Sequence, residues 1–285
     1  MVAASLFIGV VSYPGTRFPA AQGSDGLGAR LAQAMRERGV LVDLTIDTTN
    51  RWDSGAAPLT RGDVQEALSA QVRLEDRWQS FLQDGAAIGP RARAKSLLRH
   101  ARRLWRRLSP PSNGMVERLL NIEMAHTALM QAGLACGSSW ILILEDDGEC
   151  ADIDDLADGL SAVIEGAEDG VRFINLSESF VVSELGIEHL LKTSDQQWAG
   201  SRPRQLVETE LPVTNTVCAI AYRAQFAKSL LAEYSNLPQR PVVPIDWKLN
   251  QALMTLHGRG ELPPGSCLWV LPGPIDQLSM RVSHE

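Results

Sequence analysis

The sequence predicts a mixed α/β fold, a central sheet flanked by helices, and three observations carry that prediction. Short apolar runs recur along the chain: SLFIGVV at 5–11, VLVDLTIDTTN at 40–50 and WILILEDD at 140–147. Between them lie segments such as GLGARLAQAMRERG and MVERLLNIEMAHTALMQAGLACG, whose apolar residues fall at helical spacing. Two of the strand runs end in carboxylates, Asp47 and the consecutive Glu145, Asp146 and Asp147. Sheets of this class bind ligands at the carboxyl ends of their parallel strands.

The first strand starts the chain. Its apolar run lacks a basic leader and a cleavage pattern, so it reads as a buried strand and not as a signal peptide. Asp25 is placed to cap the helix that follows, and Gly39 to stop it. The glycines of GSDGLG do not have GxGxxG spacing, and their loop is too long for a tight phosphate turn, which argues against a Rossmann dehydrogenase. Residues 52–114 read as a helical insertion. Within it, RARAKSLLRHARRLWRRLS (residues 91–109) is a cationic amphipathic helix with Trp105 on its apolar face. Either it packs on the core and leaves a solvated basic face, or residues 91–108 meet an anionic membrane surface or acceptor. No companion DNA-binding motif surrounds it, so no nucleic-acid partner is expected. Further helices are expected over DIDDLADGLSAVIEGA, AQFAKSLLAEYS and DWKLNQALMTLHG, and further strands over VRFINLSES and NTVCAIAYR.

Bulk properties agree with one large α/β domain. The chain has 285 residues, 45% of them hydrophobic and 21% charged, with a formal net charge of -7. No apolar run approaches the roughly 18 residues that span a bilayer. The expectation is a soluble cytoplasmic protein, with the basic helix able to meet the inner face of the plasma membrane. Cys136, Cys150, Cys218 and Cys267 form no CxxC pair, so they read as small buried hydrophobes and imply neither a disulfide framework nor a zinc site.

The acidic end of WILILEDD needs a cause. Three adjacent carboxylates repel one another, and burial raises the cost. A divalent cation removes the difficulty, and the next helix already has its own acids in DIDD at 152–155. A receiver domain also holds magnesium with an acidic pair, but FINLSES ends in Ser and Glu where a phosphoacceptor Asp is required. A sugar-nucleotide transferase fits better, because a divalent ion there bridges the donor's two phosphates and neutralises the departing diphosphate.

Together, AHTALMQAGLACGSSWILILEDD, NTVCAIAYRAQFAKSLL and PVVPIDWKLNQAL resemble glycosyltransferase family 25, the lipopolysaccharide and collagen sugar transferases with a GT-A fold. The resemblance covers roughly residues 115–285. It lies in a His-bearing helix, the EDD strand end, a strand with Thr216 and Tyr222, and the PIDW element at 244–247. The family's opening Asn-Leu-Asp element is absent, and VVSYPGTR keeps only Arg17 of it. The resemblance implies a single GT-A-like domain, with 1–51 and 115–175 as the nucleotide-sugar and metal half and 176–285 as the acceptor half. It implies transfer of a hexosyl group, with inversion, from a nucleotide-diphosphate donor to a hydroxyl of a glycan or glycolipid, and the basic amphipathic helix points to an acceptor of cell-envelope biosynthesis.

Roles follow residue by residue. Side chains alternate along an extended chain, so Glu145 and Asp147 share a side. Asp147 is the expected principal ligand of Mn²⁺ or Mg²⁺ and Glu145 its helper, facing the donor ribose or a coordinated water. Asp146 is structural or a donor-sugar contact. The resemblance points to Asp246 as the base that takes the acceptor's proton; it is equally placed to cap its helix. The resemblance also allows a late histidine, His257 or His284, to complete the metal site. Tyr13, Arg17 and Asp47 sit at strand ends where they could stack on a base, pair with phosphate and accept from a base N–H. Trp198 and Trp247 are candidates for an acceptor-stacking surface or for the core, and His126 reads as a packed core histidine. Two other readings share these residues. One is a non-catalytic nucleotide- or carbohydrate-binding relative, and the other is a metal-dependent nucleotidyltransferase, which would release pyrophosphate.

Overall fold

The computed structural model describes residues 4–13, 16–51, 60, 62, 98, 113–166, 170–178, 188–209, 214, 216–236 and 245–281. Of the basic segment, only Leu98 falls within this set, and it is exposed. The reading of 91–108 therefore lies outside the described residues, as does His284.

The apolar run at 5–11 forms β1 (Ser5–Val11), which pairs in parallel with β2 (Leu41–Asp47) and with β3 (Trp140–Glu145). Beyond β3 the sheet continues through β8 (Ala219–Arg223), β5 (Phe173–Asn175), β9 (Cys267–Leu271), β7 (Gln205–Thr209) and β6 (Leu191–Thr193). Strand β8 runs antiparallel to both β3 and β5, while β9 is parallel to β5 and antiparallel to β7. Among the described residues the result is an eight-stranded mixed sheet in which most strands point one way. A separate antiparallel ribbon joins β4 (Gly148–Glu149) to β10 (Asp276–Gln277).

Alternation along the strands divides the core in two. Leu6, Ile8, Val10, Leu142 and Leu144 face one side, under α1 (Leu27–Glu37) and α3 (Ile153–Gly166). Phe7, Val11, Ile141 and Ile143 face the other, under α2 (Asn113–Ala135), α4 (Ala224–Asn236) and α5 (Ile245–Gly258). Both faces are apolar, so the central strands read as continuous hydrophobic runs. Helix α2 lies close on the sheet: a Cβ at Gly9 would come within 3.0 Å of Leu129 Cβ, and one at Gly133 within 2.8 Å of Ile141. By the same parity Glu145 falls on the α2, α4 and α5 side, which decides which helices can reach it.

Some local expectations change. Asp25 does not cap α1. Gly26 holds the N-cap position, where a Cβ would meet the Ala21 carbonyl oxygen at 2.6 Å. Gly39 does stop that helix, with a positive φ of 81°. Asp152 caps α3, its Oδ1 accepting the Asp155 N–H at 3.1 Å. Strands β6, β7 and β9 lie where the periodicity predicts none.

Candidate functional site

The carboxyl ends of β1 and β3 open into a cavity of about 540 Å³, lined among others by Tyr13, Arg17, Arg118, Glu145, Asp146 and Asp147. It adjoins a second cavity of about 300 Å³ between the ends of β1 and β2 and the start of α2; both share Val11, Tyr13, Arg118 and Ile122.

The three acids have different partners. Asp146 acts inward as a clasp: Oδ2 accepts from Ser12 Oγ at 3.1 Å and from Thr16 Oγ1 at 2.5 Å, and Gln22 in turn donates to Ser12 Oγ at 2.9 Å. This ties the β1–α1 loop to the end of β3. Glu145 and Asp147 are bridged by the side-chain amide of Gln277, which donates to Glu145 Oε2 at 3.3 Å and to Asp147 Oδ2 at 3.2 Å. Asp147 is buried, and its Oδ1 has no hydrogen-bond partner. Burial, then the charge of Glu145, pushes the Asp147 carboxyl above its ordinary range against hydrogen bonds from Ser279 and Gln277. Burial also raises Asp146, against its bonds to Thr16 and Ser12.

Two groups on the helices act on this cluster, one by contact and one through charge. His126 on α2 is wholly buried, with Nε2 3.5 Å from Glu145 Oε1 and neither ring nitrogen hydrogen-bonded. It is a packed histidine, as its sequence context suggests, but it is packed against the site. Asp246 stands in the first turn of α5, one residue inside the helix, so it is not the N-cap. The residue keeps some exposed surface, yet its carboxyl is surrounded by protein, and this raises its pKa to about 6; bonds from the Trp247 and Asp246 backbone N–H oppose the shift and the charge of Glu145 adds to it.

The remaining candidates are placed as follows. Tyr13 and Arg17 line the larger cavity. Asp47 is buried at the end of β2, where Oδ1 accepts the Thr49 N–H at 3.0 Å and Oδ2 forms an ion pair with Arg51. Trp247 is half-buried beside Asp246 and packs on the α2, α4 and α5 core. Trp198 lies in the opposite core, so close over α3 that a Cβ at Gly159 would clash with its ring at 1.9 Å. The structure thus gathers Tyr13, Arg17, Glu145, Asp146 and Asp147 in one cavity and leaves Trp198 across the sheet.

Besides Gln277 and the hydroxyls that hold Asp146, two further participants escape the sequence reading. Arg118 lines both cavities, and its spacing from Asn121 and Ile122 on one helical face was the available signal. Cys218 is the other. Its Sγ and one carboxylate oxygen each of Glu145 and Asp147 lie within 4.8 Å of one another, a donor group able to hold a metal ion. The expectation that all four cysteines are simply buried hydrophobes fails at Cys136, which is exposed, and is incomplete at Cys218.

The donor set suits a divalent cation. Three carboxylates against Arg17 and Arg118 leave the cavity one negative charge in excess when all are ionised, and the unpartnered Asp147 Oδ1 offers a free lone pair. Among the described residues no helix is long and apolar enough to cross a membrane.

No protein-family model matches the chain, and no curated protein does. Among solved structures it is similar to a glycosyltransferase involved in the glycosylation of the major capsid of PBCV-1, at 9% identity and a TM-score of 0.32, over 92% of this chain and 80% of that one.

Proposed function

We propose that this protein is a metal-dependent glycosyltransferase that moves a sugar from a nucleotide-diphosphate donor to a hydroxyl of a glycan or glycolipid. The observation that carries the reading is the Glu145–Asp147 pair at the end of β3. A buried, unpartnered carboxylate oxygen stands there in a cavity that also contains two arginines. A diphosphate entering such a cavity would meet net negative charge, and a divalent ion reverses that sign.

Glu145 and Asp147 are the residues that would hold Mn²⁺ or Mg²⁺, and a bound ion supplies charge neutralisation for the departing nucleoside diphosphate. Arg17 and Arg118 add positive charge along the cavity wall. Tyr13, in the wall common to both cavities, offers a ring to the base. The Asp146 clasp holds Ser12 and Thr16 in place, so this side of the cleft is ordered before the donor arrives. Asp246 takes the acceptor's proton. A carboxyl with a pKa of about 6 is mostly ionised at neutral pH yet more basic than an ordinary aspartate, as a general base requires. Trp247 beside it would meet the acceptor. Membership of family 25, inversion, and an acceptor presented at a membrane through residues 91–108 rest on the sequence resemblance and the basic segment.

The test is thermal shift of the wild type and Asp147→Ala against a panel of nucleoside diphosphates, with and without Mn²⁺. A selective stabilisation that needs the ion and is lost in the variant is the expected result. If no nucleotide binds under any condition, the transferase reading fails. Binding followed by pyrophosphate release from a nucleoside triphosphate would instead identify a nucleotidyltransferase.

A further inference from the structure

Cys218 has no role in the transfer just described, yet the chain brings its thiol within 4.8 Å of a carboxylate oxygen of Glu145 and of Asp147. The antiparallel pairing of β3 with β8 ends at Leu144 opposite Ala219, and the next bond runs from Glu145 N–H to the Cys218 carbonyl at 2.8 Å. That bond fixes the thiol beside the last residue of β3. Cys218 is 0% exposed, and Asp147, which converges on the same point, is 6% exposed with its Oδ1 unpartnered. A buried lone pair left unused carries a desolvation cost that a bound cation would remove. The other buried thiols have nearby polar atoms of their own. Cys150 Sγ lies 3.1 Å from the Asp152 carbonyl oxygen, and Cys267 Sγ lies 3.8 Å from Ser266 Oγ.

We propose that Cys218 is a third protein ligand, so that Glu145, Asp147 and Cys218 form an oxygen, oxygen, sulfur site selecting thiophilic divalent ions. His126, behind Glu145, orients that carboxylate. The inference rests on the metal-dependent reading of the same site and refines it. On binding, the sulfur–metal bond replaces the S–H bond and the proton leaves to solvent; nothing is oxidised or reduced. A purely carboxylate site suits hard Mg²⁺, whereas a thiolate shifts preference toward Zn²⁺ and Co²⁺, with Mn²⁺ weaker and Mg²⁺ weakest.

Co²⁺ reports the sulfur directly. The full chain carrying Cys136→Ser, which removes the exposed thiol, is titrated with Co²⁺ while absorption and heat are recorded. The expected result is a saturable thiolate-to-cobalt charge-transfer band in the near ultraviolet, with a stoichiometry of one. Adding Cys218→Ser should abolish the band and weaken Co²⁺ binding by more than about tenfold. Heat of binding without the band overturns the assignment of Cys218 and leaves the metal site standing. Neither heat nor band overturns both. Should Cys218→Ser fail to fold, the wild-type cysteine's band still decides the question, with Asp147→Asn, which removes a neighbouring ligand, expected to weaken it.

Discussion

His126 and Glu145 meet at the buried end of β3, with Nε2 3.5 Å from Oε1 and no hydrogen bond to either ring nitrogen. A histidine packed this close confines the positions the carboxylate can take. Groups behind a metal ligand typically contribute about 10- to 100-fold to metal affinity, and a contact without a hydrogen bond belongs at the low end of that range. His126→Gln is therefore expected to weaken Mn²⁺ or Co²⁺ binding about tenfold, measured calorimetrically, while circular dichroism stays that of the folded protein. Unchanged affinity in a folded variant would make His126 a packing residue alone.

Asp246 predicts a pH dependence. Transfer activity should rise with pH through about 6 as the carboxyl loses its proton, and Asp246→Asn should abolish transfer while sparing donor binding. Stability moves in the opposite sense. Because burial raises the folded pKa above that of the unfolded chain, ionisation opposes folding; the penalty is absent below about pH 4 and complete above about 6. Asp246→Asn should thus stabilise the protein at pH 8 by on the order of 3 kcal/mol and by far less at pH 4. Thermal melts at the two pH values measure the difference, and equal shifts would contradict a raised pKa.

Asp147 behaves similarly but reports the cation. Burial and the charge of Glu145 make its ionised form unfavourable without a metal, so Asp147→Asn should raise the melting temperature of metal-free protein near neutral pH. The same variant should gain nothing from added Mn²⁺, whereas the wild type should gain several degrees. A wild type indifferent to Mn²⁺ and to chelator would count against the site.

Asp155 provides a control remote from the chemistry. It is 1% exposed, receives Arg204 Nε at 2.9 Å and the Arg202 N–H at 2.7 Å, and these bonds lower its pKa despite burial. Removing one member of such a buried pair costs about 3–5 kcal/mol. Asp155→Ala should unfold at markedly lower urea concentration, and the folded fraction should keep its affinity for nucleotide. The stability Asp155 contributes is present above its unfolded pKa and disappears as pH falls through the lowered folded value.

The parts of this fold legible in the sequence are those where one segment decides its own structure. The run SLFIGVV becomes β1 with those bounds, and the apolar spacing around Leu31 and Met35 becomes α1. Short strands such as β6 and β7 were not legible, because three to five residues with polar members carry too little periodicity. Neither was Cys218. Metal-ligand spacing searches short separations, whereas this thiol reaches Glu145 only because β8 runs antiparallel beside β3. Trp198 shows the converse: an aromatic that sequence alone leaves open between sugar stacking and core packing is settled against α3 by the absence of a side chain at Gly159.

The bridge from Gln277 to Asp147 spans 130 residues of chain, and the β4–β10 ribbon and the Leu278 N–H to Asp147 carbonyl bond at 2.9 Å hold it in place. During translation the acidic end of β3 leaves the ribosome long before this clamp exists. All eight strands of the main sheet lie upstream of Asp276 and can pair without it. A nascent chain therefore carries its acids unclamped until residues 276–278 emerge, after the strands of the main sheet. A chain ending before Asp276 should show the β-sheet signal of the full protein in circular dichroism but bind Co²⁺ more weakly, and equal affinity would refute this order.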